Sequence, residues 1–127
     1  MSGETILVVD DDADIQMTVR LALEISGYKV MEGSNAKEAF DAIAKCTPDL
    51  ILLDVSLPLV SGWQLLEKIR SIPGLDETPV VITTAHVGNE VSRRATQLGA
   101  SDYLAKPFDV EALSGLVRRL LAARKNE

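Results

Sequence analysis

The sequence predicts a doubly wound α/β domain, with five strands alternating with five helices around a parallel sheet. Three observations lead to it. The runs Ile6-Leu7-Val8-Val9 and Leu50-Ile51-Leu52-Leu53 are too short for helices and lack the alternation of half-exposed strands. Such runs suit strands buried on both faces. Between the apolar runs lie stretches with apolar residues at helical spacing. Their connections are short, and that alternation gives right-handed crossovers with helices on both faces of the sheet.

The elements follow in order. The first strand, Ile6–Val9, ends in Asp10-Asp11-Asp12. A helix from about Ala13 to Ser26 turns Ile15, Val19, Ala22 and Leu23 inward and stops at Gly27. Lys29 to Glu32 forms a short second strand. Asn35-Ala36-Lys37-Glu38 has the form of a capping box and opens a helix with the stripe Ala36, Ala39, Phe40 and Ile43. The central strand is Leu50–Leu53, and Pro58 denies the chain a ladder donor, so the strand stops before it.

Ser61-Gly62-Trp63-Gln64 is a second capping box, opening a helix with Leu65, Leu66, Ile69 and Ile72 on the core side. Pro73-Gly74 breaks that helix, and Pro79 introduces the β-branched strand Val80–Thr84. The fourth helix, about Gly88 to Leu98, has only Val91, Ala95 and Leu98 as an apolar seam and is weakly anchored. The fifth strand is about Asp102 to Ala105. The fifth helix, from about Asp109, carries Leu113, Leu116, Val117, Leu120 and Leu121 at helical spacing, and Arg124 to Glu127 are expected to fray.

The 127 residues make one domain, with a core of about 4–123. A net charge of −6 argues against direct binding of nucleic acid. Cys46 is alone, so no disulfide can form within the chain, and it reads as a small packing residue. The apolar run near the N-terminus is too short for a signal peptide or a membrane span. These features point to a cytoplasmic protein that does not bind membranes.

Three strands end in polar groups: Asp10-Asp11 after the first, Asp54 after the third and Thr84 at the end of the fourth. The fifth ends in Lys106-Pro107. In a parallel sheet these ends share one side and converge on one crevice. An acid at such a strand end is either a cap or a functional group. Crowded carboxylates repel, so some stay protonated or a cation neutralises them. Few, all-oxygen ligands beside open water suit Mg²⁺. A lysine and a hydroxyl around a metal-bound carboxylate suit phosphoryl transfer, with Asp54 attacking in line.

Ile6-Leu7-Val8-Val9-Asp10-Asp11, Leu52-Leu53-Asp54 with Pro58 and Gly62, Thr83-Thr84-Ala85, and Asp102–Phe108 together resemble the receiver domain of two-component response regulators. The resemblance covers essentially the whole chain, and each motif gains its weight from the others in order. It implies a flavodoxin-like sheet in the order 2-1-3-4-5. It also implies that Asp54 is the phosphoacceptor, Asp11 the direct Mg²⁺ ligand, and Asp10 a ligand through water. The Ser56 backbone carbonyl would complete the protein's ligands. Lys106 would bind the phosphoryl group and pair with Asp54 at rest. Thr84, with the Ala85 N–H beside it, would move onto the phosphoryl oxygen, and Tyr103 would turn inward in response. The Lys106–Pro107 bond is expected to be cis.

The protein would then be a phosphoacceptor rather than an enzyme, loaded by a histidine kinase or histidine phosphotransfer protein. It would signal to an effector protein or an output domain through the surface of the fourth helix, fifth strand and fifth helix. The alternative is a degenerate receiver that binds partners without phosphorylation. A phosphatase of the haloacid-dehalogenase type would need an acid at position 56, and a flavin module would not carry three aspartates where a phosphate must sit. Serine at 56 is smaller than the residue many members carry and bears on phosphoryl lifetime. Ser61, where many members have aspartate, is assigned only a cap.

Asp102 and Arg118 are candidates for a pairing surface. Leu116 stands where the DNA-binding members' arginine is expected, which favours a monomer or weak dimer. No output domain follows the fifth helix, so the chain is either a stand-alone receiver or an excised one. Asp12 reads as a helix cap, Trp63 as half-exposed near the site, and His86 as a loop residue at its rim.

Overall fold

The computed structural model describes residues 3–85 and 88–125. In chain order the elements are β1 (Thr5–Val9), α1 (Ala13–Ile25), β2 (Lys29–Gly33), α2 (Ala36–Lys45), β3 (Leu50–Asp54), α3 (Gly62–Arg70), β4 (Val80–Thr84), α4 (Asn89–Gln97), β5 (Asp102–Ala105) and α5 (Val110–Lys125). The strands form one parallel sheet in the order 2-1-3-4-5. β1, β3 and β4 are buried throughout, as their unbroken apolar runs require.

Side chains alternate across the sheet and feed two cores. Leu7, Val9, Ile51, Leu53, Val80 and Ile82 meet α2, α3 and α4, while Ile6, Val8, Leu50, Leu52 and Val81 meet α1 and α5. The helix starts follow their sequence signals. Asp12 caps α1 by accepting from the Asp14 and Ile15 amides. Ser61 and Gln64 close a full capping box at α3. At α2 the box closes one residue early, because the Glu38 carboxylate takes the Ser34 N–H at 2.7 Å and Asn35 accepts from the Glu38 amide. α4 starts at Gly88 with no side-chain cap, and only its Ala95 is fully buried.

Three expectations are corrected. Arg124 does not fray: its Nη1 donates to the Asp49 carbonyl at 2.8 Å and to Asp49 Oδ1 at 3.1 Å, while Asp49 Oδ2 accepts from the Thr5 amide. These bonds tie the last turn of α5 to the starts of β1 and β3. Trp63 is 9% exposed rather than half-exposed: it belongs to the core that contains Leu65, Leu66 and Ile69, and the guanidinium of Arg94 lies over its ring, 4.9 Å from the centroid. Cys46 is exposed, since it follows the last turn of α2 instead of packing beneath it. Among the described residues no helix is long and apolar enough to cross a membrane.

Candidate functional site

The carboxyl ends of β1, β3 and β4 and the segment leaving β5 bring the candidate residues together. Asp10 follows β1 and is 2% exposed. Its backbone is gripped from two sides: its N–H donates to the Gly33 carbonyl at 3.0 Å, and Gln16 Nε2 donates to its carbonyl at 2.6 Å. Its side chain accepts from the Asp12 amide at 2.9 Å through Oδ1 and from Lys106 Nζ at 2.8 Å through Oδ2. Asp54 ends β3, is 3% exposed, and accepts from the Ser56 amide at 3.1 Å. Asp11 points to solvent, yet one oxygen of each of Asp10, Asp11 and Asp54 lies within 4.8 Å of the others.

Lys106 stands between two acids. Its Nζ is 2.8 Å from Asp10 Oδ2 and 3.2 Å from Asp54 Oδ2, so the expected Asp54 partner is present but Asp10 is closer. The backbone fixes this lysine: its N–H donates to the Thr84 carbonyl at 2.7 Å, and the Lys106–Pro107 bond is cis. Burial raises the Asp10 carboxyl above its ordinary value, with Asp54's charge adding to it, while the Lys106 and Asp12 hydrogen bonds pull only partly the other way. Burial alone would lower Lys106, but the hydrogen bond and charge of Asp10, with those of Asp54, carry it above the ordinary lysine value.

Thr84 is 1% exposed and ends β4 on the face of Val80 and Ile82. Tyr103 is registered against Ile82, so it shares that face, half-buried against the core beneath α2, α3 and α4. Ala85 is exposed at the rim and lines, with Lys106, Pro107 and Phe108, a groove of about 390 Å³ that runs along α1. His86 lies outside the described residues. Asp102 pairs with Arg119 at 3.0 Å, and Arg118, the other pairing-surface candidate, is exposed beside it.

Two supporting residues escaped the sequence reading. Gln16 carries no motif; only its place in the first turns of α1, one turn after Asp12, hints at the loop it holds. Gly62 was visible as part of a pattern but not as a packing constraint. A Cβ there would overlap the Asp54 carbonyl oxygen and lie 2.6 Å from Val55 Cα, so the start of α3 rests directly on the end of β3.

The arrangement is a buried anionic pair bridged by a fixed ammonium, with a third acid at the water's edge. Its donors are all hard oxygens, so Asp10, Asp11 and Asp54 fit Mg²⁺.

A family model described as "Response regulator receiver domain" matches residues 6–118. The phosphate regulon transcriptional regulatory protein PhoB of Pseudomonas aeruginosa is 36% identical over 121 residues, covering 95% of this chain and 53% of the relative. The chain thus spans about half the length of that curated relative. Sporulation initiation phosphotransferase F of Bacillus subtilis is 31% identical over 126 residues, covering 99% of this chain and all of the relative. Among solved structures, a CheY-like receiver domain protein from Methanospirillum hungatei superposes with a TM-score of 0.90 at 29% identity, covering 98% of both chains. The chemotaxis protein CheY4 of Vibrio cholerae gives 0.89 at 28% identity, over 94% of this chain and 99% of that one.

Proposed function

Because this chain belongs to the response regulator receiver family, we propose that it is a switch whose Asp54 accepts a phosphoryl group from a phosphohistidine of a sensor kinase or phosphotransfer protein. The observation that carries this reading is the Lys106 ammonium held between the carboxylates of Asp10 and Asp54 at a strand-end crevice. Asp10, Asp11 and Asp54, with the Ser56 backbone carbonyl, would hold Mg²⁺. When bound, the ion neutralises charge on the phosphoryl oxygens and on the acids around them.

An Asp54 carboxylate oxygen attacks phosphorus in line. The bond from phosphorus to the histidine nitrogen breaks, its electron pair stays on the imidazole, and an aspartyl phosphate forms. Lys106 keeps its cis-linked backbone anchor on Thr84 and passes its ammonium from the carboxylate to a phosphoryl oxygen. The Thr84 hydroxyl and the Ala85 N–H meet another oxygen. Tyr103, on the face of Thr84, turns inward, and the α4–β5–α5 surface changes for an effector or output domain.

Intact mass after incubation with a small-molecule phosphodonor tests the first half of this reading. Wild type is expected to gain one phosphoryl group with Mg²⁺ and none after chelation, and Asp54→Asn to gain none. No gain in well-folded wild type would favour phosphorylation-independent binding, and a gain in Asp54→Asn would move the acceptor elsewhere.

A further inference from the structure

α4 is attached to the molecule unevenly. It buries only Ala95, and its first turn lacks a side-chain cap. Its C-terminal end, by contrast, is held by a residue of α3. Arg70 donates through Nε and Nη2 to the Gly99 carbonyl at 3.0 and 2.7 Å, and through Nη1 to the carbonyls of Leu75 and Thr78 at 2.8 and 2.7 Å. One planar guanidinium thereby joins the end of α3, the loop before β4 and the turn after α4.

The middle of α4 is held by a second contact with α3. The guanidinium of Arg94 lies 4.9 Å from the centroid of the Trp63 ring. Trp63 follows Gly62, whose N–H donates to the Val55 carbonyl at 3.0 Å and whose Cα leaves no room for a Cβ against the Asp54 carbonyl. The ring is therefore fixed to the strand end that carries Asp54. Arg94 itself is exposed and can leave the ring for water at little cost.

We propose that the Arg94 guanidinium over the Trp63 ring is a latch holding α4 at rest, and that α4 turns about the Arg70–Gly99 contact when the latch opens. This rests on the switch proposed above and names what resists it. Thr84 lies at the other end of α4, across the connecting segment that leads to Gly88. Movement of Thr84 pulls on the uncapped end, the pinned end stays, and the contact between them must slide or break. Arg94 and Trp63 are positioning residues, since neither touches the acids.

The chain has one tryptophan, so indole emission reports the surroundings of the Trp63 ring, and the Arg94 variants isolate the share that this contact contributes. The test compares wild type, Arg94→Met and Arg94→Lys, first without a phosphoryl mimic and then with Mg²⁺ and beryllofluoride. Thermal unfolding checks that all three fold. In the unloaded state, Arg94→Met is expected to exchange its α4 amides roughly two- to fivefold faster than wild type and to shift its emission, the range an exposed cation–ring contact supports. Arg94→Lys, which keeps a cation, is expected to fall between them. On loading, wild-type emission should move toward that of Arg94→Met, which itself should change little. Unchanged α4 exchange in Arg94→Met would overturn the latch, as would an undiminished emission change on loading that variant. If beryllofluoride leaves wild type unchanged, the switch beneath the proposal fails, while the unloaded comparison still decides whether the contact holds α4.

Discussion

Gly62→Ala is expected to destabilise the fold by about 2–4 kcal/mol and to slow phosphoacceptance at Asp54. The reason is geometric. A Cβ at Gly62 would overlap the Asp54 carbonyl oxygen and come within 2.6 Å of Val55 Cα. Both obstacles are backbone, and the backbone is the central strand of the sheet, so no side-chain rotation relieves the clash. Either α3 lifts from β3, which opens the core around Leu65, Leu66 and Ile69, or the end of β3 shifts and carries Asp54 with it. Gly115 supplies an internal control. It lies within α5, and a Cβ there meets nothing within 4 Å. Gly115→Ala should therefore add about 0.5–1 kcal/mol of stability from helix propensity alone. Denaturant unfolding of the two variants reads both effects. Equal stability of Gly62→Ala and wild type would show that α3 does not seat on Asp54.

Lys106→Met should have the second large effect. It removes the only cation that contacts both Asp10 and Asp54 among the described residues, and both acids are almost fully buried. Losing one partner of a buried ionic group leaves uncompensated charge, and a cost of about 2–4 kcal/mol at pH 7 is expected in metal-free protein. Mg²⁺ should restore part of it. Phosphoacceptance should fall by about 100-fold or more, because the ammonium no longer meets charge on the transferring group.

The pH dependence follows from the two shifted groups. The folded-state value of Lys106 lies above the ordinary 10.5, so its contribution is complete below that pH and is lost as pH rises through the folded value. The folded-state value of Asp10 lies above the ordinary 3.8, so ionising it costs stability as pH rises through that value. Without Lys106 that cost grows. The stability gap between wild type and Lys106→Met should therefore be widest from above the folded value of Asp10 up to the ordinary lysine value of 10.5. It should narrow toward acid as Asp10 takes up its proton, and toward strong alkali as Lys106 loses its own. A gap independent of pH would show that the lysine contributes packing alone.

The sheet was legible in the sequence because buried parallel strands leave a mark that little else produces. Leu50 to Leu53 and Ile6 to Val9 are unbroken apolar runs, and each ends where an acid begins. Convergence of Asp10, Asp11, Asp54, Thr84 and Lys106 then followed from topology, since parallel strands present their carboxyl ends on one side. Contacts that depend on side-chain reach were not legible. Nothing in the pattern says that Arg94 leaves α4 to cover Trp63, or that Arg124 reaches back to Asp49. Long, charged side chains at exposed helical positions read alike whether they end in water or on a ring. Helix phase decides in the same way that Arg119 rather than its neighbour meets Asp102, since adjacent helical residues point about 100° apart. The capping box at Asn35 slipped by one residue because Glu38 can reach either neighbouring amide.

In the proposed switch, chemistry at Asp54 is coupled through Thr84 to a surface some distance from it. The most direct measurement is a backbone amide spectrum recorded before and after loading with Mg²⁺ and beryllofluoride, for wild type and for Thr84→Ala. Wild type should shift in the site loops and also across α4, β5 and α5. Thr84→Ala should shift in the site loops alone, binding the mimic without passing the signal on. The same shifts across α4, β5 and α5 in Thr84→Ala, or shifts confined to the site loops in wild type, would contradict the coupling.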